Sequence, residues 1–548
     1  MGTRVIRKSL LWASTILSVV SCQWSLSQLS VLRAQPWDAE VSLADFHYEQ
    51  GMALARLARL EEAREAFLTG QALAPADVRF PLELAGICFR QKELALARSH
   101  LKQALDLDPD NSYARDFLGT LHLLRGNLEA ALEHWNSIGK PEINGIRIDP
   151  RPRVDPVLLD RAFSFSPAGI LHLKDLQETN ARLELLRIFP RYKFELQPRP
   201  QGNFDLLLRP VEKNGLGEGS AGKLLSIFRG LPFQTLHLDY FNIRQSAANW
   251  ISSFRWDPEK LRVFLSFSSP LPLQPRWRYA FDLDARNENW DGSRSLASGL
   301  DADLKLQKLE ARAGLTLILN GQWSWSSEIR LSQREFTTTA SNRSEFPLLF
   351  QTGPSLHYGN RLDHEISRPE IHLGLVSFAE AEIGKIFSDQ NVRFFRIEGG
   401  TRTRWLIWPQ AEDLEFQSGF RAGKILGAVP FDLLYSLGLE RDNDIFLRGH
   451  RGTHQGRKGS GPLGSAYILI NSEIDKNILH SGLFRLRAGP FLDIGRSFDR
   501  AHRFQFQQWM YDLGGQLKID ILGGIGLIIS YGRDLRSGGS VFYARLSP

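Results

Sequence analysis

The chain has 548 residues, of which 43% are hydrophobic and 23% charged, with a formal net charge of +6. That length exceeds one compact domain, and the composition excludes wholesale disorder. Basic residues are spread along the chain rather than blocked, and no nucleic-acid motif accompanies them, so no nucleic acid is expected as a partner.

Residues 1–34 read as a secretory signal. Arg4, Arg7 and Lys8 form a positive n-region, and Ser9–Ser21 is an apolar stretch too short to span a bilayer as a helix. Cleavage is expected after Ala34, with lipidation at Cys22 as the alternative. Loss of the signal leaves Cys88 alone, which excludes a disulfide framework and a cysteine-based metal site. No later segment is a run of about 18 apolar residues, so a membrane-resident form has to be a closed β-barrel.

Residues 40–140 repeat with a period of 34, read from Gly51, Ala85 and Gly119 (85−51 and 119−85). Ala63, Ala97 and Ala131 keep the same interval, as do Phe67, Leu101 and Trp135, and Pro75 and Pro109. Small residues let paired helices approach, and an aromatic or Leu fills the gap to the next pair. The pattern resembles about three tetratricopeptide repeats, whose stacking implies a concave groove for a protein partner.

Pro141, Pro150, Pro152 and Pro156 give residues 141–156 the composition of a linker. Residues 157–213 then read as a small α+β unit. A helical pattern over Leu171–Phe189 precedes two strand-like runs, Tyr192–Gln197 and Phe204–Val211, and then Glu212. Leu176, Thr179, Leu183 and Phe189 resemble the end of a POTRA domain. That resemblance implies sheet edges that receive a client by strand pairing.

Over residues 225–548 the period changes to two. Trp277, Tyr279, Phe281, Leu283 and Ala285 alternate with Arg276, Arg278, Asp282, Asp284 and Arg286, and Trp323, Trp325, Ile329 and Leu331 alternate with Ser324, Ser326, Glu328 and Arg330. Strands with one greasy and one charged face predict a transmembrane β-barrel. Toward the end, parity places Tyr467, Asn471, Glu473 and Asp475 on one inward face, and Arg485, Arg487 and Asp493 on another. Glu473 and Asp493 should therefore face the same lumen.

Phe446-Leu447-Arg448-Gly449-His450, then Asn471-x-Glu473, then Phe491-x-Asp493-x-Gly495, is followed by the closing strands. This constellation resembles the BamA/TamA outer-membrane assembly superfamily, the bacterial surface antigen type. The resemblance implies POTRA domains ahead of a barrel of 16 antiparallel strands, with an Arg-Gly-aromatic loop folded into the lumen. Carried over, Arg448 is the loop arginine, Gly449 the tight-turn glycine, and Glu473 and Asp493 the acids that hold it. His450 stands where the family has an aromatic residue.

Neither an enzyme site nor a metal or cofactor site is expected. Gly523-Gly524-Ile525-Gly526 is followed by a strand pattern instead of a helix, and His364-Glu365 lacks a second His for a zinc helix. The fold class expected is thus multidomain: α-helical repeats, a POTRA-like unit and a C-terminal barrel. The resemblance implies an outer-membrane assembly, insertion or translocation factor, its N-terminal domains in the periplasm, where they recruit a protein partner or client. Outer-membrane lipid is the other expected partner. A passive conduit such as a polysaccharide exporter, or a two-partner secretion pore, is the alternative.

Overall fold

A computed structural model describes residues 43–200, 202–217, 224, 227–291, 303–338, 349–388, 390–407, 413–481, 484–499, 507–521 and 525–547. The signal segment, Cys22, Gly523 and Gly524 lie outside the described residues. The chain divides into two compact units.

Among the described residues the first unit carries six helices: α1 (Leu43–Arg56), α2 (Leu60–Leu73), α3 (Arg79–Arg90), α4 (Leu94–Leu107), α5 (Ser112–Leu124) and α6 (Leu128–Trp135). The 34-residue period becomes packing here. Ala63, Ala97 and Ala131 are fully buried, and so are Phe67 and Leu101. Gly51 lies against the Phe67 ring so closely that a Cβ would sit 2.5 Å from it, and Gly119 meets the Trp135 indole in the same way. The small residue and the ring one repeat-helix later are therefore a matched pair. Asn111 and Asn127 start α5 and α6, their side chains accepting from the Ala114 and Ala130 amides at 2.9 and 3.1 Å.

Residues 142–148, inside the stretch expected to be a linker, instead form a strand, β1 (Glu142–Ile148). The prolines bound this strand rather than interrupt it, which is why composition alone reads as a linker. With α7 (Pro156–Asp160), β2 (Gly169–Ile170), α8 (Leu173–Leu186), β3 (Arg191–Pro198) and β4 (Phe204–Val211) it makes a small α+β region, the sheet order being β2-β1-β4-β3. Leu176, Thr179 and Leu183 on α8 are buried, and the Thr179 hydroxyl accepts from the Ser164 amide at 2.9 Å.

The second unit is dominated by a closed barrel. Its wall begins with β5 (Thr235–His237) and β6 (Tyr240–Ile243), and continues through β7 (Ala248–Trp256), β8 (Lys260–Leu271), β9 (Gln274–Asp291) and β10 (Asp303–Ile318). Next come β11 (Trp323–Thr338), β12 (Gly353–Arg368), β13 (Leu373–Ile386), β14 (Arg393–Leu406) and β15 (Leu414–Gly427). An insert, residues 428–465, carries only short pieces: β16 (Tyr435–Ser436), β17 (Gly438–Leu439), β18 (Leu447–Arg451), β19 (Thr453–His454), β20 (Arg457–Lys458) and β21 (Leu463–Gly464). The wall resumes with β22 (Ala466–His480), β23 (Phe484–Phe498), β24 (Met510–Ile521), β25 (Ile525–Asp534) and β26 (Ser540–Ser547). β15 pairs directly with β22, so the insert leaves the wall without breaking it.

Sixteen wall strands were expected; the described residues carry fifteen. β5 and β6 share one register against β7, with His237 opposite Ser253 and Tyr240 opposite Trp250, so they are one wall strand. Neighbouring wall strands run antiparallel, and an odd number leaves the first and last pointing the same way.

The barrel is inside-out relative to a water-soluble fold. Phe281, Leu283, Leu309, Ile329, Leu331 and Ile383 are each at least half exposed on the outer face. Asp284, Lys308, Glu310, Arg334, His357 and Glu382 are buried. Every strand of a closed barrel has both neighbours, which satisfies the backbone without water. Among the described residues no helix is long and apolar enough to cross a membrane.

Helix α8 clamps onto one end of this barrel. Arg278 on β9 donates through Nη1 to the carbonyls of Leu185 and Leu186 at 3.2 and 3.0 Å, and through Nη2 to Ser268 Oγ at 2.8 Å. A cation thus meets the negative end of the helix. The turn after β6 lies at the same end, where the Asp155 amide donates to the Gln245 carbonyl at 2.7 Å. Hairpin alternation puts the insert at the opposite end.

Candidate functional site in the barrel lumen

The insert reaches the wall on many sides. Asp442 pairs with Lys260 at 2.6 Å and Arg255 at 2.9 Å on the β7–β8 side. Asp432 pairs with Lys308 of β10 at 3.2 Å, and Phe431 meets Trp290 of β9 edge-on at 4.8 Å. Asp444 pairs with Arg421 of β15 at 2.7 Å. On the far side Phe446 lies beneath the Arg545 guanidinium of β26, 4.8 Å from its ring centre. A segment tied to both early and late strands spans the lumen.

Its base is apolar. Phe431, Leu433, Leu437, Ile445 and Leu447 form one buried cluster with wall residues Trp290, Leu306, Phe336, Phe394 and Leu469. Its tip is polar, and there the signature residues meet. Arg448 is only 6% exposed. Its Nε and Nη2 donate to the two Asp493 oxygens at 2.8 and 2.6 Å, a bidentate fork. Nη1 donates to Glu473 at 2.7 Å and to Gln516 at 3.0 Å. The Arg448 amide also donates to Asp493, at 2.9 Å, and the guanidinium lies 3.7 Å over the Phe491 ring centre. Burying a cation is costly unless it is paired and hydrogen-bonded throughout, and this one is.

Strand register explains the convergence. Asn471, Asp493, Asp512 and Asp534 are successive partners across β22, β23, β24 and β25, so their side chains form one inward row. Glu473, Phe491, Gly514 and Gly532 form the next row. The second row supplies an acid, a ring and then two glycines that leave a bare floor. A Cβ on Gly532 would strike the Arg448 carbonyl, and one on Gly449 would come within 2.6 Å of the Asp512 carboxyl carbon. The insert's backbone sits directly on the wall's backbone because neither has side chains there.

Gly449 donates its amide to Asp512 Oδ2 at 2.5 Å. His450 follows into the same crevice, with Nδ1 at 3.1 Å from Asp512 and Nε2 at 3.6 Å from Asp534. The imidazole therefore stands between two carboxylates. Two cationic groups hold the supporting acids in place: Arg448 itself, and Lys518, which donates to Glu473 and Asp475 at 2.5 and 2.6 Å.

The structure thus brings Arg448, Gly449, His450, Glu473 and Asp493 together. The repeat-packing residues Gly51, Ala63, Phe67, Ala85, Ala97, Leu101, Gly119, Ala131 and Trp135 lie in the other unit. Asp512, Asp534, Gln516 and Lys518 were missed. The parity that marks Glu473 places Asp512, Gln516 and Lys518 on one face of β24, with Asp534 opposite Asp512 at the end of β25. Asp432 and Asp442 had no such signal, because they sit in irregular backbone.

Residues 48–112 and 89–138 match the family model described as Tetratricopeptide repeat. No curated protein matches the chain. Among solved structures, BamA from Haemophilus ducreyi lacking POTRA domains 1–3 aligns with a TM-score of 0.44 at 11% identity, covering 74% of this chain and 84% of its own. CdiB from Escherichia coli gives 0.48 at 14%, covering 75% and 74%. CdiB from Acinetobacter baumannii gives 0.46 at 14%, covering 82% and 81%.

Proposed function

We propose that this chain is an outer-membrane barrel that inserts or translocates polypeptides. The tetratricopeptide repeats recruit a protein partner or client on the periplasmic side. One observation carries the reading: the lumen holds a segment of the chain itself, locked by Arg448 to Asp493 and Glu473. A passive conduit needs an open lumen. A lock made of ion pairs on a glycine floor can open and close again, since its charges find water or other partners on release. A barrel with an apolar belt outside and paired charge inside supports placement in a bilayer. Neither nucleotide nor metal is part of the reading.

The secretion reading draws on the same insert, because a client leaving through the lumen has to displace it. The two are separated by reconstitution. Purified full-length protein in liposomes is offered an unfolded outer-membrane barrel client, and protease-protected product is followed. Folded client in the bilayer supports insertion, whereas client inside the lumen of the vesicle supports secretion. No protected product of either kind, together with large ohmic conductance blocked by polysaccharide, would return the chain to the conduit class.

A further inference from the structure

Strands β23–β25 carry an outward feature at the end of the barrel remote from α8. A depression of about 590 Å³ is lined by Arg496, Gln508, Trp509, Tyr511, Leu535 and Arg536. Register shows that it faces away from the lumen. Tyr511 lies between the inward Met510 and Asp512, and it is paired with Ile494. Arg496 shares the face of Ile494 and of Leu492, which is exposed. Arg533 is exposed on the same face, opposite the exposed Leu513.

Below the depression Leu492 and Leu513 are exposed in one register row with Arg533, and Tyr531 is exposed in the next row. At its level are Trp509 and Tyr511, the residues that favour a membrane–water boundary. Arg496 is held there, its Nε donating to the Gln507 carbonyl at 2.9 Å and its guanidinium lying 4.5 Å over the Phe498 ring centre. Arg536, in the turn after β25, completes the rim. No carboxylate among the described residues forms an ion pair with Arg496, Arg533 or Arg536, whereas Arg255, Arg421 and Arg448 are each matched with an acid. Two guanidiniums on this aromatic depression, with that of Arg533 beside it on the same outward face, suit an amphiphile with a phosphate head, since the planar fork matches phosphate oxygens.

We infer that the Arg496–Arg533–Arg536 patch binds a phosphorylated glycolipid of the outer leaflet, with the phosphate on the arginines and the acyl chains against Leu492, Leu513 and Tyr531. The inference rests on the outer-membrane reading above. It gives the last strands a fixed lipid neighbour.

The test uses full-length protein in nanodiscs containing lipid A, or lipid A stripped of its phosphates, with lipid retained after detergent exchange counted by native mass spectrometry. Wild type should hold lipid A and lose the dephosphorylated form. The triple variant Arg496→Gln/Arg533→Gln/Arg536→Gln should bind lipid A more weakly by about five-fold per arginine, on the order of a hundred-fold together. Its heat-modifiable gel migration should match wild type, showing an intact barrel. The Arg→Lys triple variant, which keeps the charge, should fall between the two. Equal retention of both lipids, equal retention by wild type and the Gln variant, or comparable binding of inorganic phosphate alone would overturn the inference. A wild-type chain that fails to fractionate with outer membranes would sink the membrane reading instead, a result visible before any lipid is counted.

Discussion

At the scale of single residues, the lumen site depends on shape as much as charge. Lysine at position 448 would keep the cation and lose the fork that meets both Asp493 oxygens at once. Removing one member of a buried pair strands the others, at about 3–5 kcal/mol. Arg448→Ala should therefore lower the temperature at which the barrel loses compact gel migration, and Arg448→Lys should recover only part of that loss. Full recovery by lysine would mean that the fork geometry does not matter. Gly532 adds a steric check, because any larger residue there meets the Arg448 carbonyl. The His450 imidazole reaches Asp512 and Asp534, contacts that a phenyl ring could not make.

At the scale of elements, the helices and the strands obey different rules and should respond separately. Phe67 fills the space above Gly51, and truncating such a buried ring costs about 3–5 kcal/mol. Phe67→Ala should speed hydrogen exchange across residues 43–140 of the intact chain and leave the barrel strands unchanged. Uniform acceleration of both would contradict two separate units. On α3, burial raises the Glu83 carboxyl above its ordinary range, with the Tyr48 hydroxyl 3.4 Å away. A carboxyl raised in the folded state favours the protonated form, so its contribution is fully present below the unfolded value and is lost as pH rises through the folded value. The repeats should therefore gain protection as pH falls through the carboxylate range, and Glu83→Gln should flatten that dependence. Much of this was legible beforehand. The 34-residue period named the helix contacts, and parity named the inward acids on β22 and β23. Strand ends were not legible, because barrel strands run past the apolar band into polar sequence, as β24 and β25 do at Asp512 and Asp534. Strand number was not legible either: sixteen came from the resemblance, and the alternating pattern does not show that β5 and β6 share one register against β7.

At the scale of the whole molecule, polarity decides the account. Greasy side chains cover the wall, paired charges fill the lumen, and the chain's own insert is tied to wall strands on opposite sides through Asp432, Asp442, Asp444 and Arg448. Displacing the insert would break these ion pairs and also the apolar cluster at its base. The ion pairs are dispersed, so release at one point leaves the others holding, and opening is graded by how many are lost. The direct test is the conductance of purified protein in planar bilayers, comparing wild type with Arg448→Ala, Asp442→Asn and the double variant. The expected result is a mostly closed wild type with brief openings, Arg448→Ala opening more often by on the order of a hundred-fold or more for about 3–5 kcal/mol of lost pairing, Asp442→Asn also opening more often than wild type, and the double variant opening most. A wild type that conducts steadily at full size, or a double variant as closed as wild type, would contradict it.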